Sequence, residues 1–438
     1  MDPLSLGAIV AFSTILVLFS GISVAAGLLV VSAGFLIVFD GASSLNLMPE
    51  VFFGKLDNFA LLSIPMFIIM GAAIASTRAG ADLYEALERW LTRVPGGLVI
   101  SNLGACALFS AMSGSSPATC AAIGKMGIPE MRKRGYPDSV AAGSIAAGGT
   151  LGILIPPSVT MIVYGIATET SIGRLFLAGV LPGLLLVALF MAWSIYSTAR
   201  SSDGSALIPT SYSWAQRFEI LPRVLPFLAI ILGVLYAMYG GIATPSETAA
   251  VGALLCLVIA MVIYSMWSPV AIWAVLRDST RESVMILFII GAAGVFSYML
   301  SSLFITQSIA EWIGGMDVNR WVLMGMINLF LLIAGFFLPP VAVILMAAPI
   351  LLPIITTAGF DPIWFAVVLT INMEIGLISP PVGLNLYVIN GIAPDIKLKT
   401  ILVGSLPYVG CMVVAIILLC LFPGIATWLP DMIMGAEL

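Results

Sequence analysis

The apolar run 139–167 is long enough to cross a bilayer, yet its centre reads ILIPPSVT, Ile153 to Thr160. Proline has no backbone donor and clashes with the preceding turn, so Pro156 and Pro157 together stop a helix there. In hydrocarbon the carbonyls freed by the break need partners from protein or from a wet cavity. A second doublet decides between accident and design. GLISPP (Gly376 to Pro381) in the run 363–392 repeats GILIPP (Gly152 to Pro157) at a fixed offset. The chain opens two membrane helices at matched places.

Composition fixes the solvent around those helices. Hydrophobic residues make up 61% of the 438 residues and charged residues 9%, against ~25% charged in soluble domains. Runs of ~20 apolar residues read as crossings. They fall at 4–20, 23–39, 59–77, 139–167, 175–198, 223–240, 248–268, 283–303, 363–392 and 400–422. Met1 to Phe39 reads as the first two spans and lacks the basic leader and cleavage site of a secretory signal. The fold class is an all-α polytopic membrane protein.

Several functions are excluded. The chain has no histidine, so a Ser-His-Asp triad, a histidine zinc site and a histidine proton relay are absent. Cys106, Cys120, Cys256, Cys411 and Cys420 lie in apolar runs without metal-ligand spacing and read as small core residues. Glu374 is the one ionisable side chain placed deep in a span, so an intramembrane enzyme lacks its paired groups. The net charge of −5 resides in short loops, and no basic, aromatic-rich segment points to nucleic acid. The chain reads as a transporter rather than an enzyme, with a channel as the weaker use of the same helix breaks.

Two further apolar stretches, 96–127 and 321–350, exceed one crossing. Each is interrupted near its middle, by SGSSP (Ser113 to Pro117) and by FFLPP (Phe336 to Pro340). Re-entrant helical hairpins account for both. With loops 78–95, 125–138, 199–223, 269–282 and 393–399 inside, 14 of the 17 Lys and Arg residues share one side. Only Lys55, Arg174 and Arg320 remain outside. That is the positive-inside pattern, and it puts both termini outside.

The halves also match. Ser63 to Ala73 pairs with Ser283 to Ala293, and IPEMRKRGY (Ile128 to Tyr136) with LPIITTAGF (Leu352 to Phe360). GVLPG (Gly179 to Gly183) resembles GSLPY (Gly404 to Tyr408). Together with the charge topology this predicts an inverted repeat, 1–200 and 217–438, joined by a polar linker, 201–216. Paired broken helices in inverted repeats mark transporter binding sites near the midplane. Half-helix N-termini attract anions there, while freed carbonyls and hydroxyls suit a small hard cation.

Particular residues carry that chemistry. MSGSSPAT (Met112 to Thr119) presents hydroxyls and amides at a sharp turn, either as a tip that binds Na⁺ or a carboxylate, or as a satisfied Ser-rich kink. Thr150, Ser158, Ser379 and Asn385 offer oxygen ligands beside the proline doublets. Glu374 reads as a charge that balances a cation, as a proton carrier, as a buried hydrogen-bond acceptor or as an interfacial side chain. Thr244 or Ser246, with Glu247 behind, reads as a helix cap. Ala81 to Arg93 and Ile305 to Gly315 read as amphipathic arms lying along the two interfaces.

Taken in order, SGSSPAT, GIPEMRKRGY, GGTLGILIPPS, GIATPSE and GLISPPVGLN make the chain resemble the large membrane subunit of TRAP transporters, the tripartite ATP-independent periplasmic family. The resemblance spans essentially the whole length. It implies an ion-transporter-like fold working as an elevator in a bacterial inner membrane. It also implies a small four-span membrane subunit and a periplasmic substrate-binding protein as partners. Na⁺ would be the coupling ion, with no covalent cofactor. The cargo would be a small organic acid anion: a C4-dicarboxylate, keto acid or sialic acid. A stand-alone sodium/dicarboxylate symporter is the alternative.

The same resemblance places sodium near Ser113, Gly114, Ser115 and Ser116 with Thr150, Gly152, Pro156 and Ser158. A second position falls near Phe337, Leu338 and Pro339 with Gly376, Ser379, Pro380 and Gly383. Ser113, Ser115, Thr160 and Asn385 are the implied substrate contacts, and Glu374 a coupling or proton site. FFLPP departs from the first hairpin in carrying no hydroxyl, so an ion there would rest on carbonyls.

Overall fold

The computed structural model describes residues 2–91, 94, 96–200, 212–315 and 318–435, and among these the regular structure is helical, with no strand. The chain opens with α1 (Pro3–Phe19) and α2 (Val24–Asp40), then α3 (Leu47–Leu56) and α4 (Ser63–Ala75). The amphipathic α5 (Ala79–Leu91) precedes an antiparallel pair, α6 (Gly97–Ser113) and α7 (Ser116–Lys133). A broken helix follows as α8 (Asp138–Gly149), α9 (Leu151–Leu154) and α10 (Val159–Thr168), and α11 (Ile172–Arg200) closes the first half.

The short α12 (Trp214–Glu219) leads into α13 (Leu221–Tyr239), α14 (Pro245–Val262) and the long α15 (Pro269–Ser302). The earlier order then recurs. α16 (Ile305–Gly314) is amphipathic, α17 (Arg320–Phe337) and α18 (Pro340–Thr357) flank a short turn, and α19 (Pro362–Leu377) and α20 (Leu384–Ile392) flank a break. α21 (Leu398–Leu421) and α22 (Gly424–Met434) complete the chain.

The proline doublets break helices where expected, at Ile155–Ser158 and Ile378–Gly383. Thr244 caps α14 as the sequence suggests. Its hydroxyl accepts from the Glu247 amide at 3.3 Å, and the Glu247 carboxylate accepts from the Thr244 amide at 2.8 Å, which is a capping box.

Other expectations need correction. Residues 269–282 are not an inner loop but the first turns of α15, 34 residues long. Arg and Glu are good helix formers, so the charges at 277–282 extend the helix instead of ending it. The segment after α2 is also helical, and the pair Ala42–Leu56 and Phe59–Ala75 bends by 63°. α22 was not anticipated. Among the described residues eight helical segments are long and apolar enough to cross a membrane, counting α8–α10 as one and including both α17 and α18, or nine if that bent pair counts as one. α1 and α2, at 17 residues each, lie at the short end of the ~17–25 residues of a crossing. Of the 201–216 linker, 201–211 lie outside the described residues.

Burial sorts the helices. Every residue of α19 from Ile363 to Leu377 is buried, and the α8–α10 segment is almost as enclosed. α13, α14 and α21 instead show apolar side chains outward, among them Leu232, Tyr236, Leu254 and Ile417. Apolar all round, such helices suit either a protein interior or lipid. The α8–α10 segment, α19 and the unbroken α6 form the interior here, and α13, α14 and α21 lie around them.

Glycine sets the closest approaches. α8 and α21 meet backbone to backbone at Gly143 and Gly404, where a Cβ on either would overlap the other helix. α17 and α19 meet likewise at Gly335 and Gly376, and Asn372 Nδ2 donates to Asn328 Oδ1 at 2.5 Å across the same pair. In the α6–α7 pair, Asn102 lies against Gly127 and its Nδ2 is 2.7 Å from Met131 Sδ. Asn102 and Gly127 are equidistant from the 114–115 turn, with Met131 one helical turn farther along α7, the register of a helical hairpin.

Candidate functional site

The chain reverses at Gly114, whose φ of +58° lies in the left-handed region where side chains are disfavoured. A Cβ there would stand 2.9 Å from the Pro157 carbonyl. The first hairpin tip is thus seated on the first proline doublet, and Gly152 makes room from the other side. A Cβ on Gly152 would lie 3.0 Å from the Ser115 carbonyl carbon and the Ser116 amide. Pro117 and Pro340 stand in the first turns of α7 and α18, where a missing amide costs nothing.

Hydroxyls gather behind this tip. Ser113 Oγ is 3.0 Å from Thr119 Oγ1, which donates to the Ser115 carbonyl at 2.9 Å. Ser110 Oγ lies 3.3 Å from the same Thr119 oxygen. Sequence reasoning did not single out Thr119, although its place in the turn after Ser116 was the available signal.

One cavity of about 950 Å³ gathers all four interruptions. The first tip supplies Ser113 to Ala118, the second Pro339 to Val341. Ile153 and Thr160 flank the first break, and Leu377 and Leu384 the second. The opposite wall is α4 and α15, with Ile68, Gly71, Asp278 and Glu282. Each break sets a helix N-terminus, with free amides, beside a C-terminus with free carbonyls. The N-termini belong to α7, α10, α18 and α20. Such a surface can hold both an anion and a small cation. Among the described residues its lining has no Lys or Arg.

The predicted residues are distributed unevenly around it. Ser113, Gly114, Ser115, Ser116, Thr160 and Pro339 line the cavity. Thr150 is buried one turn beyond, its hydroxyl donating to the Ala147 carbonyl at 2.5 Å. Pro156 lies in the first break. Ser158 caps α10, its hydroxyl accepting from the Met161 amide at 3.2 Å. Gly376 is buried against Gly335, away from the lining. Phe337 is 44% exposed and packs edge-on to Phe19, so only its backbone faces the second tip. Leu338 is extended there. Ser379, Pro380 and Gly383 form the second break, and Gly383 has φ +58°.

Glu374 is 1% exposed, enclosed by protein. Ser116 Oγ lies 2.9 Å from each of its carboxylate oxygens. Asn385 is fully buried; its Nδ2 donates to the Ala146 carbonyl at 3.3 Å, and its Oδ1 has no protein partner. Both contacts join the first half of the chain to the second. Outside the buried region Arg132 makes a third, reaching Asp138 at 2.7 Å and Asp395 at 2.6 Å. That guanidinium holds the Asp395 carboxyl below the usual carboxylate range.

Broken helices converging on a shared cavity inside an all-helical, lipid-facing shell define a membrane protein of the transporter class. The comparisons carry this to a family: residues 11–425 match the model of the tripartite ATP-independent periplasmic transporter, DctM component, and the chain belongs to that family of transporter subunits, which are not enzymes. It is 39% identical over 380 residues to the C4-dicarboxylate TRAP transporter large permease protein DctM of Pseudomonas aeruginosa, covering 86% of this chain and 88% of that one. The sialic acid TRAP transporter large permease protein SiaM of Vibrio cholerae is 30% identical, with 91% and 92% covered. In fold, the chain resembles the YdaH transporter of Alcanivorax borkumensis (TM-score 0.67, 17% identity, 95% and 99% covered).

Proposed function

We propose that this chain is the membrane-embedded pathway of a sodium-coupled importer for a small organic acid in a bacterial inner membrane. The observation that carries the reading is the single cavity into which both hairpin tips and both helix breaks open. The substrate anion would meet the α7 and α10 N-termini and the hydroxyls of Ser113, Ser115 and Thr160, with Asn385 behind them. C4-dicarboxylates are the favoured class, since several of the relatives are named for them.

Sodium fits the residues present. Small hard cations take oxygen ligands, and the first tip offers the Ser113–Thr119 hydroxyl cluster, the Ser115 carbonyl and, nearby, the unpartnered Asn385 Oδ1. Gly114, Ser116, Thr150, Gly152, Pro156 and Ser158 complete that neighbourhood. At the second position, Phe337, Leu338, Pro339, Gly376, Ser379, Pro380 and Gly383 offer mainly carbonyls. Coupling follows if sodium stabilises the arrangement that binds the anion.

The recurrent element order supports an inverted repeat with the boundaries 1–200 and 217–438. The contacts Ser116–Glu374, Asn385–Ala146 and Arg132–Asp395 tie hairpin and broken helices of opposite halves into one block. Such a block sliding past α4 and α15 is an elevator. The cavity reaches Ser76, which leads into the basic segment 78–95, and the Arg-bearing first turns of α15 at Ala271; this supports an inward-facing state with the termini periplasmic. A smaller groove of about 490 Å³, lined by Asn58, Glu169, Thr170 and Thr244 on the opposite side, suits the docking of a periplasmic binding protein.

The test is uptake into proteoliposomes holding this chain and a small four-span subunit. Accumulation of a dicarboxylate should require an inward Na⁺ gradient and added binding protein. Uptake by this chain alone would establish the stand-alone symporter instead, and uptake indifferent to Na⁺ would end the sodium assignment.

A further inference from the structure

We infer that Glu374 sets the affinity of the coupling cation from behind the first hairpin tip, as the buried negative charge that the cation balances. The inference rests on the sodium-coupled reading above and deepens it.

Glu374 is not part of the cavity lining. It lies one layer deeper, on α19, where Ser116 screens it from the substrate space. A carboxylate has room for about four hydrogen bonds. Glu374 has the Ser116 hydroxyl, which can donate to only one oxygen at a time, and the backbone of Ile153. No Lys or Arg among the described residues forms an ion pair with it. A buried carboxyl in this condition either holds a proton or needs a positive charge close by to stay ionised; the second state belongs to the cation-loaded transporter.

Oxygen atoms stand near the tip beside a thiol. A Cβ on Gly149 would meet Cys120 Sγ first, then the Ser116 carbonyl at 3.0 Å and the Asn385 amide nitrogen at 3.5 Å. The Ser116 backbone and the Asn385 side chain, whose Oδ1 lacks a partner, thus converge on one side of the tip. Thr150 follows directly in the chain. Ser116 belongs to the first-half hairpin and Glu374 to the second-half broken helix. Charge gained at the tip is therefore felt by both halves through one hydrogen bond. Glu374 is accordingly a positioning residue: it holds Ser116 and supplies the field, while the substrate touches neither of its oxygens.

The experiment compares wild type, Glu374→Gln and Glu374→Asp in the full transporter. Glutamine keeps an acceptor for Ser116 and removes the charge. The Na⁺ concentration for half-maximal uptake should rise at least tenfold in E374Q. The Na⁺ midpoint for thermal stabilisation of the purified complex should move in parallel. Substrate KM at saturating Na⁺ should stay within twofold. E374D, which withdraws the carboxylate by one methylene, should shift both midpoints severalfold and keeps the test open if E374Q does not fold. Wild-type Na⁺ midpoints in either variant overturn the proposal, as does a uniform loss of uptake with an unmoved thermal midpoint. If wild-type uptake and stability ignore Na⁺, the sodium reading fails first and takes this one with it.

Discussion

At the scale of single residues, the site depends on positions where a side chain would be wrong. Gly114 turns the first hairpin with φ +58° and faces the Pro157 carbonyl at Cβ distance 2.9 Å. Gly114→Ala should cost about 1–2 kcal/mol for the left-handed backbone alone, and more for the contact. Thermal unfolding of the purified complex should register the loss, and uptake should fall further than stability does, because the tip is displaced from the doublet. Much of this was readable beforehand. SGSSP and the two PP pairs announce turns, and glycine beside proline marks where the backbone must bend or approach closely. The partner of Glu374 was not readable: Ser116 lies 258 residues away in sequence, and no local pattern encodes a contact between halves. Thr119 was overlooked because a threonine inside a helix ordinarily bonds its own backbone, as this one also does.

At the scale of elements, helix boundaries followed local chemistry, and errors came where charge was taken to mean loop. The 277–282 charges continue α15 instead of preceding it. The cap at Thr244 was legible because its capping-box spacing is wholly local. The Arg132 clamp joins the end of α7 to the turn after α20, and its energetics carry a sign. Asp395 titrates below the ordinary carboxylate range because it accepts from Arg132. A lowered folded-state pKa stabilises the fold above the unfolded-state value and loses that effect as pH falls through the folded value. The stability difference between wild type and Asp395→Asn should therefore be full at neutral pH and vanish in acid below the usual aspartate range. Unfolding temperatures across a pH series, compared between the two proteins, measure it.

At the scale of the whole molecule, the element order recurs in the two halves, and composition made the membrane class legible at once. How the halves interlock was not legible, because it depends on glycine contacts and buried hydrogen bonds between distant segments. One such contact lies between the mobile block and its surround in the elevator reading. A Cβ on Gly71 of α4 would fall 2.7 Å from the Ser113 carbonyl oxygen and 2.8 Å from its Cα. Gly71→Val should hold the tip away from α4, slowing uptake at least tenfold while leaving equilibrium binding of Na⁺ within a few fold. Transport rates and sodium-dependent thermal shifts on the same preparation distinguish these effects.

The second hairpin turn has a different consequence. Between Phe337 and Pro340 the cavity is bounded by extended main chain and two prolines, with no hydroxyl, amide or charge in the side chains. A ligand held there would meet peptide groups, which side-chain truncation at Leu338 leaves in place. A scanning survey would register mainly the two prolines, where alanine frees the backbone. Replacing amide by ester linkages is the other change to which this corner would answer.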